Sequence, residues 1–280
     1  MADDESWKRW RRLREQSLTA EYGWLTVTSF QWLPPKPGPI DLFPGRWSAD
    51  GTEARLDALA ADGIHAHDAG SAAAGAPEPL DGTLVRTLAE GESVNWVRHG
   101  STIVELGLRD SRYMVRTRER RTPALEAMVS VPTFGHDPAW ALTGRFRPYG
   151  EARTIDIASY REDARLTTTA VGDIVFRAGG REHRLTAEDG GAGALLLSFH
   201  DLTNGESTPA WRFLHVPPPA DDGTVSLDFN RTLDYPFAFS PFAVCPAPIE
   251  GNRLDLAVTA GERLPAARPV AASGAGGRGA

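Results

Sequence analysis

Apolar positions follow a helical period at the start of the chain and a two-residue period over most of the rest. Within residues 3–22, Trp7, Trp10, Leu13 and Leu18 fall on roughly one helical face, and acids precede arginines, which suits the helix dipole. The arginines lie mostly off this face, as on a solvated surface, and not as in a membrane-surface helix. We therefore predict one N-terminal helix.

From residue 23 onward, short runs alternate between apolar and polar residues, with glycine, proline and aspartate between them. Their spacing of roughly ten residues is typical of an antiparallel sandwich or barrel and not of βαβ units. The predicted fold is mainly β, with an antiparallel β-barrel or β-sandwich core and an N-terminal α-helix. Candidate strands are 23–30, 84–89, 93–99, 102–108, 112–117, 125–131, 139–146, 154–160, 166–171, 173–176, 182–186, 194–199, 212–216, 225–230 and 253–258.

The same patterns divide the chain into four parts. Residues 3–22 form the helix, residues 23–82 an N-terminal β subdomain packed on the core, and residues 83–263 the main antiparallel β domain. Within the second part, the stretch AGSAAAGAPEP at 69–79 is the least ordered. The tail 264–280 has too little apolar surface to bury and is predicted to be disordered.

Composition excludes several classes of function. The chain has 280 residues, of which 41% are hydrophobic, and a formal net charge of −7. This charge argues against nucleic-acid binding, which needs a concentrated basic face. The single cysteine, Cys245, excludes an internal disulfide and a cysteine-based metal cage. There is no membrane-spanning apolar run and no signal-peptide pattern, so we expect a cytoplasmic protein without a membrane partner.

The most informative stretch is 225–256. It opens with an alternation in which Leu227 and Phe229 face a core while Asp228 and Asn230 face the other way. A proline-broken run with four aromatic residues and the cysteine follows. This run is too apolar for a solvated loop and too rich in proline for a regular element, so we predict an ordered, packed crossing.

The sequence contains a series of recognisable blocks in order over nearly the whole chain: a W-x-x-W-R helix followed by GWLTVTSFQWL, then DPAWALTGRF, SFHDLTNGESTPAWRFLHV, LDFNRTLDYPFAFSPFAVCPAPIEGNRL and AGERLP. These blocks resemble the DUF1684 family of bacterial proteins of unknown function. The resemblance implies a mostly β protein without an assigned activity. Phe237 stands where the family typically has a cysteine, and Pro209-Ala210-Trp211 replaces a glycine-rich stretch. If paired cysteines serve a metal or redox role in the family, this chain has lost it, which favours a diverged function.

Two neighbouring residues at the end of an apolar strand are candidates for chemistry. His200 and Asp201 precede an Asn-Gly turn dipeptide, and only one of them can face a given cavity. His200 is the first catalytic candidate, as a proton-transfer group, and its alternative is a hydrogen-bonded structural histidine. Asp201 is a candidate substrate-binding residue, or else it caps the turn.

The polar face of the stretch 225–256 supplies the second catalytic candidate, Asp228. Asn230 on the same face and Asn252 beyond the crossing are candidate substrate-binding residues. In a barrel this face would line the interior and hold a polar ligand. The alternative is that these side chains satisfy the backbone of the crossing, which has no ladder partners.

Arg212 and Trp211 complete the candidate substrate-binding set. Arg212 would clamp a carboxylate, phosphate or sulfate, or it forms an ion pair with Asp228 or Asp201. Cys245 lies in apolar sequence and is interpreted as inert packing. The spacing of His65 and His67 would suit a metal pair, but no third ligand is evident and we predict no metal.

Two function classes remain, because no common hydrolase, nucleotide or zinc motif is present. The first is a small-molecule enzyme of bacterial specialised metabolism, performing cofactor-free elimination, cyclisation or hydrolysis in a β-enclosed pocket. The second is a non-catalytic ligand-binding or accessory protein that works with a protein partner, or as a homodimer. Neither class needs a cofactor.

Overall fold

The computed structural model describes residues 2–67 and 78–265 and shows a mainly β protein with one long N-terminal helix. Its strands form three antiparallel sheets, of five, seven and four strands. The predicted fold class is confirmed, because the sheets are sandwich-like, and within the described residues none closes into a barrel. Most of the stretch 69–79 and of the tail, predicted to be poorly ordered, lies outside the described residues.

The N-terminal part of the chain contributes the helix and two of the sheets. Helix α1 (Ala2–Leu18) confirms the predicted helix, and no helix of the described residues is long and apolar enough to span a bilayer. Nine strands follow: β1 (Val27–Trp32), β2 (Gly38–Ile40), β3 (Phe43–Ala49), β4 (Ala54–Ala58), β5 (His65–Ala66), β6 (Gly82–Arg86), β7 (Ser93–His99), β8 (Thr102–Arg109) and β9 (Arg112–Arg118). One sheet has the order β1-β9-β8-β7-β5 and the other β2-β3-β4-β6.

These two sheets share one apolar core. Because neighbouring residues of a strand point to opposite faces, Val104, Leu106 and Leu108 of β8 enter this core together. Trp47 of β3 and Trp96 of β7 meet there edge to face, with ring centroids 5.7 Å apart. The core thus joins the two sheets through their apolar faces.

The opposite face of β8 and β9 is charged, and it is also buried. Glu105 lies 2.8 Å from Nη1 of Arg116 and forms a second ion pair with Arg118. Burial by itself would raise the pKa of Glu105, but the two guanidinium groups hold it below its ordinary value. The Trp24 ring lies 4.9 and 5.5 Å from the two guanidinium carbons. Arg116 Nε donates to the Phe242 carbonyl at 3.0 Å, so the C-terminal part of the chain covers this charged face.

A short helix, α2 (Pro123–Ala127), leads to the third sheet. Its seven strands are β10 (Ala141–Ala158), β11 (Arg165–Ala178), β12 (Arg181–Asp189), β13 (Leu195–Phe199), β14 (Arg212–Val216), β15 (Thr224–Asp228) and β16 (Leu233–Asp234), in the order β15-β10-β11-β12-β13-β14-β16. The sheet curls so far that β14 and β15 approach within 8 Å between Cα atoms, although no ladder joins them. Phe176, Phe199 and Phe229 meet inside the curl, which is filled by apolar side chains.

The predicted strand at residues 125–131 is wrong, since these residues overlap helix α2. Thr122 caps this helix, with its hydroxyl accepting the Leu125 amide at 3.1 Å, and Pro123 occupies its first turn. Both residues are typical of a helix start. The alternation of apolar residues that follows was misleading because capping chemistry, not periodicity, decides such a short element.

Two predicted strands in the C-terminal part are shorter than expected. The strand at residues 225–230 ends with β15 at Asp228, and Phe229–Arg231 forms one turn of 3-10 helix. The segment 253–258 forms a single bridge, Arg253 with His200, and no longer strand. Its backbone is held mainly by bonds to residues 200–202 and by side chains described below.

The sheets do not follow the predicted division at residues 82 and 83. β7, β8 and β9 lie in the same sheet as β1, and the change of sheet falls between Arg118 and Ala141. Sheet membership does not by itself define a unit that folds alone, so the division into 23–82 and 83–263 stays a prediction.

Replacing Glu105 should test the buried charge cluster. We expect Glu105→Gln to destabilise the protein by about 3–5 kcal/mol, because two buried guanidinium groups then lack a counter-charge. Urea unfolding followed by tryptophan fluorescence measures the loss. The matched control is Glu126→Gln, since Glu126 and its partner Arg121 keep 57% and 85% side-chain exposure. An exposed pair contributes about 0–1 kcal/mol, so equal effects of the two variants would contradict this account.

Candidate functional site

The segment that follows β15 is the ordered, packed crossing that the sequence predicts. Tyr235, Phe237, Ala243 and Cys245 are buried in one cluster. The Cys245 carbonyl accepts the amide of Tyr160, which follows β10, at 2.8 Å. The crossing therefore packs between the end of the long β10 strand and the charged face of the N-terminal sheet.

Asn230 connects the start of this crossing to two other segments. Its Oδ1 accepts the Asp137 amide and its Nδ2 donates to the Asp137 carbonyl, both at 2.9 Å. Its own carbonyl accepts the indole N–H of Trp7 from helix α1 at 3.0 Å. Because its exposure is 1%, Asn230 offers a ligand no open surface.

Asp228 stands beside Asn230 but remains half-buried and reachable from outside. Its Oδ1 accepts the Asn230 backbone amide at 3.2 Å and Nδ2 at 2.9 Å, which caps the one-turn helix. Its Oδ2 accepts Nε of Arg231 at 2.9 Å. Both carboxylate oxygens are thus engaged within the protein.

Asn252 joins two strands at the point where they separate. β12 and β13 pair over only two residues each. Beyond this pairing, Asn252 Oδ1 accepts the Thr186 amide at 2.8 Å, and Nδ2 donates to the carbonyls of Thr186 and Ser198 at 2.9 and 3.0 Å. Asn252 therefore replaces the ladder bonds that the two strands do not make with each other.

Arg212 and Asp201 form an ion pair whose side chains have 0% exposure, with Nη2 and Oδ2 2.8 Å apart. Asp201 also accepts the Thr203 amide at 2.8 Å, as the turn-capping alternative requires. Of the two partners that the sequence leaves open for Arg212, the structure selects Asp201. Neither side chain has surface left for direct contact with a substrate.

The same guanidinium fixes the C-terminal segment. Its terminal nitrogens donate to the carbonyls of Val258, Ala260 and Glu262 at 2.9, 2.7 and 3.0 Å. Three carbonyl groups that would otherwise lie unpaired near the core are thereby satisfied. This explains how residues 258–262 stay in place without belonging to a sheet.

Glu262 carries the connection on to helix α1. Its carboxylate accepts Nε of Arg14 at 2.9 Å and the Asp234 amide at 2.7 Å. The Asp234 carboxyl group is fully buried, and neither of its oxygens has a hydrogen-bond partner in the described residues. Burial, and then the neighbouring Glu262 carboxylate, raise the pKa of Asp234 well above its ordinary value.

His200 and Trp211 lie in an aromatic cluster. His200 is half-buried, its Nδ1 is 2.9 Å from the Ala210 carbonyl oxygen, and its ring centroid is 6.0 Å from that of Trp211. Burial lowers the pKa of His200 below its ordinary value. Trp211 in turn packs on Phe237, with centroids 4.6 Å apart, and Phe237 stacks on Tyr160. The two departures from the family pattern are therefore in contact.

Cys245 belongs to the same cluster and is buried beside Phe237. Burial raises the pKa of the Cys245 thiol to about 12. A thiol of this kind is protonated at neutral pH and unreactive, in agreement with the interpretation of Cys245 as packing.

A cleft of about 600 Å³ opens on the outer side of the curled sheet, where β14 and β15 approach each other. Since Val225 and Leu227 point into the core, Ser226 and Asp228 point outward into this cleft. Helix α1 contributes a wall through Trp10. The lining residues are Trp10, His136, Pro138, Ala141, His215, Pro217, Ser226, Asp228, Arg231 and Leu233.

The cleft is rich in ionisable groups. Partial burial, and then the positive charge of Arg14, lower the pKa of His215 below its ordinary value, which favours the neutral imidazole. Arg231 is oriented by Asp228 and by the Ser6 hydroxyl of helix α1, 2.8 Å from its Nη2. A second, shallower depression of about 540 Å³ has Arg177 as its single ionisable lining residue. The first cleft is therefore the better candidate for chemistry.

Asp228 is the one predicted site residue that lines this cleft. His200, Asp201, Trp211, Arg212, Asn230 and Asn252 do not line it. The sequence patterns did not identify His136, His215, Trp10 or Arg231 as candidate site residues. In RFLHV, residues 212–216, Leu214 and Val216 point inward, so the alternation places His215 on the outer face. The alternation of β15 places Asp228 on the outer face in the same way. The approach of β14 to β15, which brings these outer faces together, has no local signal.

The comparisons with known proteins give a family but no activity. The family described as "Protein of unknown function (DUF1684)" matches residues 126–263, so the N-terminal blocks of the resemblance lie outside the matched range. No curated protein matches the chain. One similar solved structure is the solution NMR structure of an uncharacterized protein from Haloarcula marismortui, 25% identical, covering 51% of this chain and 80% of that one, with a TM-score of 0.43.

The buried carboxyl of Asp234 predicts an unusual dependence of stability on pH. Because its pKa is raised in the folded state, its contribution is fully present below the unfolded pKa of about 3.9 and is lost as pH rises through the folded value. We therefore expect Asp234→Asn to melt at a higher temperature than the natural protein at pH 8, and the difference to shrink toward pH 4.

Thermal unfolding at a series of pH values measures this difference. Glu262→Gln is the matched control, because its carboxylate is paired with Arg14 and its replacement should destabilise at pH 8. A difference between Asp234→Asn and the natural protein that does not change with pH would show that Asp234 is ionised when folded.

Proposed function

Since the chain belongs, through residues 126–263, to the DUF1684 family, whose description assigns no activity, we propose a function from its outer cleft. The protein is a small-molecule enzyme that performs cofactor-free acid/base chemistry, of the elimination, cyclisation or hydrolysis type. The observation that carries this proposal is the convergence of two imidazoles, a carboxylate and a guanidinium on one cleft of about 600 Å³. Clefts of this size are typical of small-molecule sites.

His215 takes over, as a proton acceptor, the role of proton-transfer group that the sequence assigns to His200. An acceptor must be deprotonated at the working pH, and the pKa of His215 is below its ordinary value. His136, on another segment lining the same cleft, is the second group able to exchange a proton. Arg231, held in one orientation by Asp228, stabilises negative charge that develops on the substrate.

A second candidate function is non-catalytic ligand binding in the same cleft. It is favoured by the engagement of Asp228, whose two oxygens already accept hydrogen bonds from Asn230 and Arg231. A carboxylate held in this way orients its neighbours better than it abstracts protons. The two functions make different predictions for replacement of His215.

His215→Gln separates the two functions. With pools of metabolites and mass-spectrometric detection of consumed compounds, we expect the variant to lose about 10²–10⁴-fold in turnover, because a positioned general base contributes this much. The His215 side chain lines an open cleft and is not part of the core, so the melting temperature should not change. Consumption by the natural protein should persist to lower pH than an imidazole of ordinary pKa would allow, because the pKa of His215 is lowered.

The control is His183→Gln, which replaces a histidine of the β11–β12 hairpin that does not line the cleft. Its turnover should equal that of the natural protein. If the natural protein retains a compound but consumes none, the ligand-binding function replaces the enzymatic one. If His215→Gln turns over as fast as the natural protein, the assignment of His215 fails.

A further inference from the structure

We propose that the outer cleft binds a small organic anion, a carboxylate with an apolar ring or chain, through the oxygens of its acidic group. This inference rests on the proposed function, because it concerns the same cleft and names the class of its ligand. It follows from the balance of donors and acceptors, from the apolar walls and from the charges around the site.

Most free polar groups of the cleft can donate a hydrogen bond, and two of them, on Trp10 and Arg231, can only donate. Within the described residues, neither the indole N–H of Trp10 nor the rings of His136 and His215 have a hydrogen-bond partner, although all three line the cleft. Nη1 of Arg231 is also without a described acceptor, while Nε and Nη2 bind Asp228 and Ser6. A cleft with this surplus of donors suits a ligand that brings acceptor oxygens.

The acceptor capacity of the cleft is largely used inside the protein. Asp228 is its one carboxylate, and this group accepts three hydrogen bonds, two from Asn230 and one from Arg231. An ammonium ligand would have to compete with the Arg231 guanidinium for the same oxygens. The cleft is therefore better prepared for an anion than for a cation.

Apart from the hydroxyl group of Ser226, the rest of the lining is apolar. Trp10 and Leu233 come from helix α1 and the crossing, and Pro138 and Pro217 from segments beside the strands. Rigid rings of this kind bury an apolar body at little cost in conformational entropy. An inorganic anion would leave these walls exposed to water, so the ligand has an apolar part as well as an acidic one.

The charges close to the cleft are also compatible with an anionic ligand. The chain as a whole carries a formal net charge of −7, which repels anions at a distance. At the cleft, however, the charge of Asp228 is balanced by Arg231, and the positive charge of Arg14 reaches His215. An anion is therefore recognised locally, by directed donors, and not by the overall field.

Three probes that share a phenyl ring test the proposal: phenylacetate, phenylacetamide and phenethylamine. They present an anion, a neutral amide and a cation to the same site. We expect phenylacetate to bind at least about tenfold more tightly than phenylacetamide, a factor equal to about 1.4 kcal/mol, and phenethylamine to bind most weakly. Titration of ¹⁵N-labelled protein at millimolar probe concentrations, followed through the amide signals of the lining residues, measures the affinities.

Variants connect the preference to named donors. Arg231→Gln should remove most of the preference for phenylacetate over phenylacetamide, and Trp10→Phe should weaken phenylacetate binding several-fold while keeping the aromatic wall. Ser6→Ala is the control for the position of helix α1, because it removes one bond to Arg231 and keeps the charge. Arg177→Gln is the charge-matched control in the second depression. Both controls should keep the preference.

The outcomes separate this inference from the proposed function. If phenylacetamide or phenethylamine binds as tightly as phenylacetate, the cleft holds small molecules but does not select anions, and the inference alone fails. If none of the probes shifts the signals of the lining residues at millimolar concentration, the inference fails, and the consumption assay with His215→Gln decides the proposed function separately. Loss of the preference in Arg177→Gln would also overturn the assignment to Arg231.

Discussion

One buried guanidinium, that of Arg212, holds together the parts of the C-terminal sheet that strand pairing leaves free. Its hydrogen-bond acceptors lie in the turn at Asp201–Thr203 and in residues 258–262. A charge removed from water requires a counter-charge, which Asp201 supplies, and the segment 258–262 requires donors for its carbonyls, which Arg212 supplies. The two requirements satisfy each other, and together they hold a segment that has no strand ladder.

The position of helix α1 follows from this arrangement. Residues 258–262 present Glu262 to Arg14 and to the backbone of Asp234. The cluster then contains three acids, Asp201, Asp234 and Glu262, against two arginines. Because the carboxyl oxygens of Asp234 have no hydrogen-bond partner in the described residues, the neutral form of Asp234 removes the excess negative charge at the least cost. Helix α1 is thus anchored by a set of charges that balances only with one proton bound.

Local sequence patterns predict those features of the structure that local chemistry decides. Alternation over 225–228 gives both the core residue Leu227 and the outward Asp228, and the proline-broken crossing is packed as expected. The short helix α2 is not predicted, because a cap and a proline outweigh an apolar alternation. For the ion pair of Arg212, the sequence leaves two possible acids, Asp201 and Asp228. It cannot decide between them, because the position of Asp201 depends on the turn after β13. The cleft could not be predicted, because it depends on the distance between β14 and β15, which the curl of the whole sheet sets.

The interior of the curled sheet cannot be the site, because Phe176, Phe199 and Phe229 fill it. The candidate site lies on the outer face, where His215 of β14 and Ser226 and Asp228 of β15 are polar. The outer face of a sheet is by itself a flat, solvent-exposed surface. It becomes a cleft only where another element packs over it. Here Trp10 of helix α1 contributes that cover, although α1 lies outside the range that matches the family. The cleft therefore combines outward residues of the matched region with a helix whose position depends on Glu262 and Arg14.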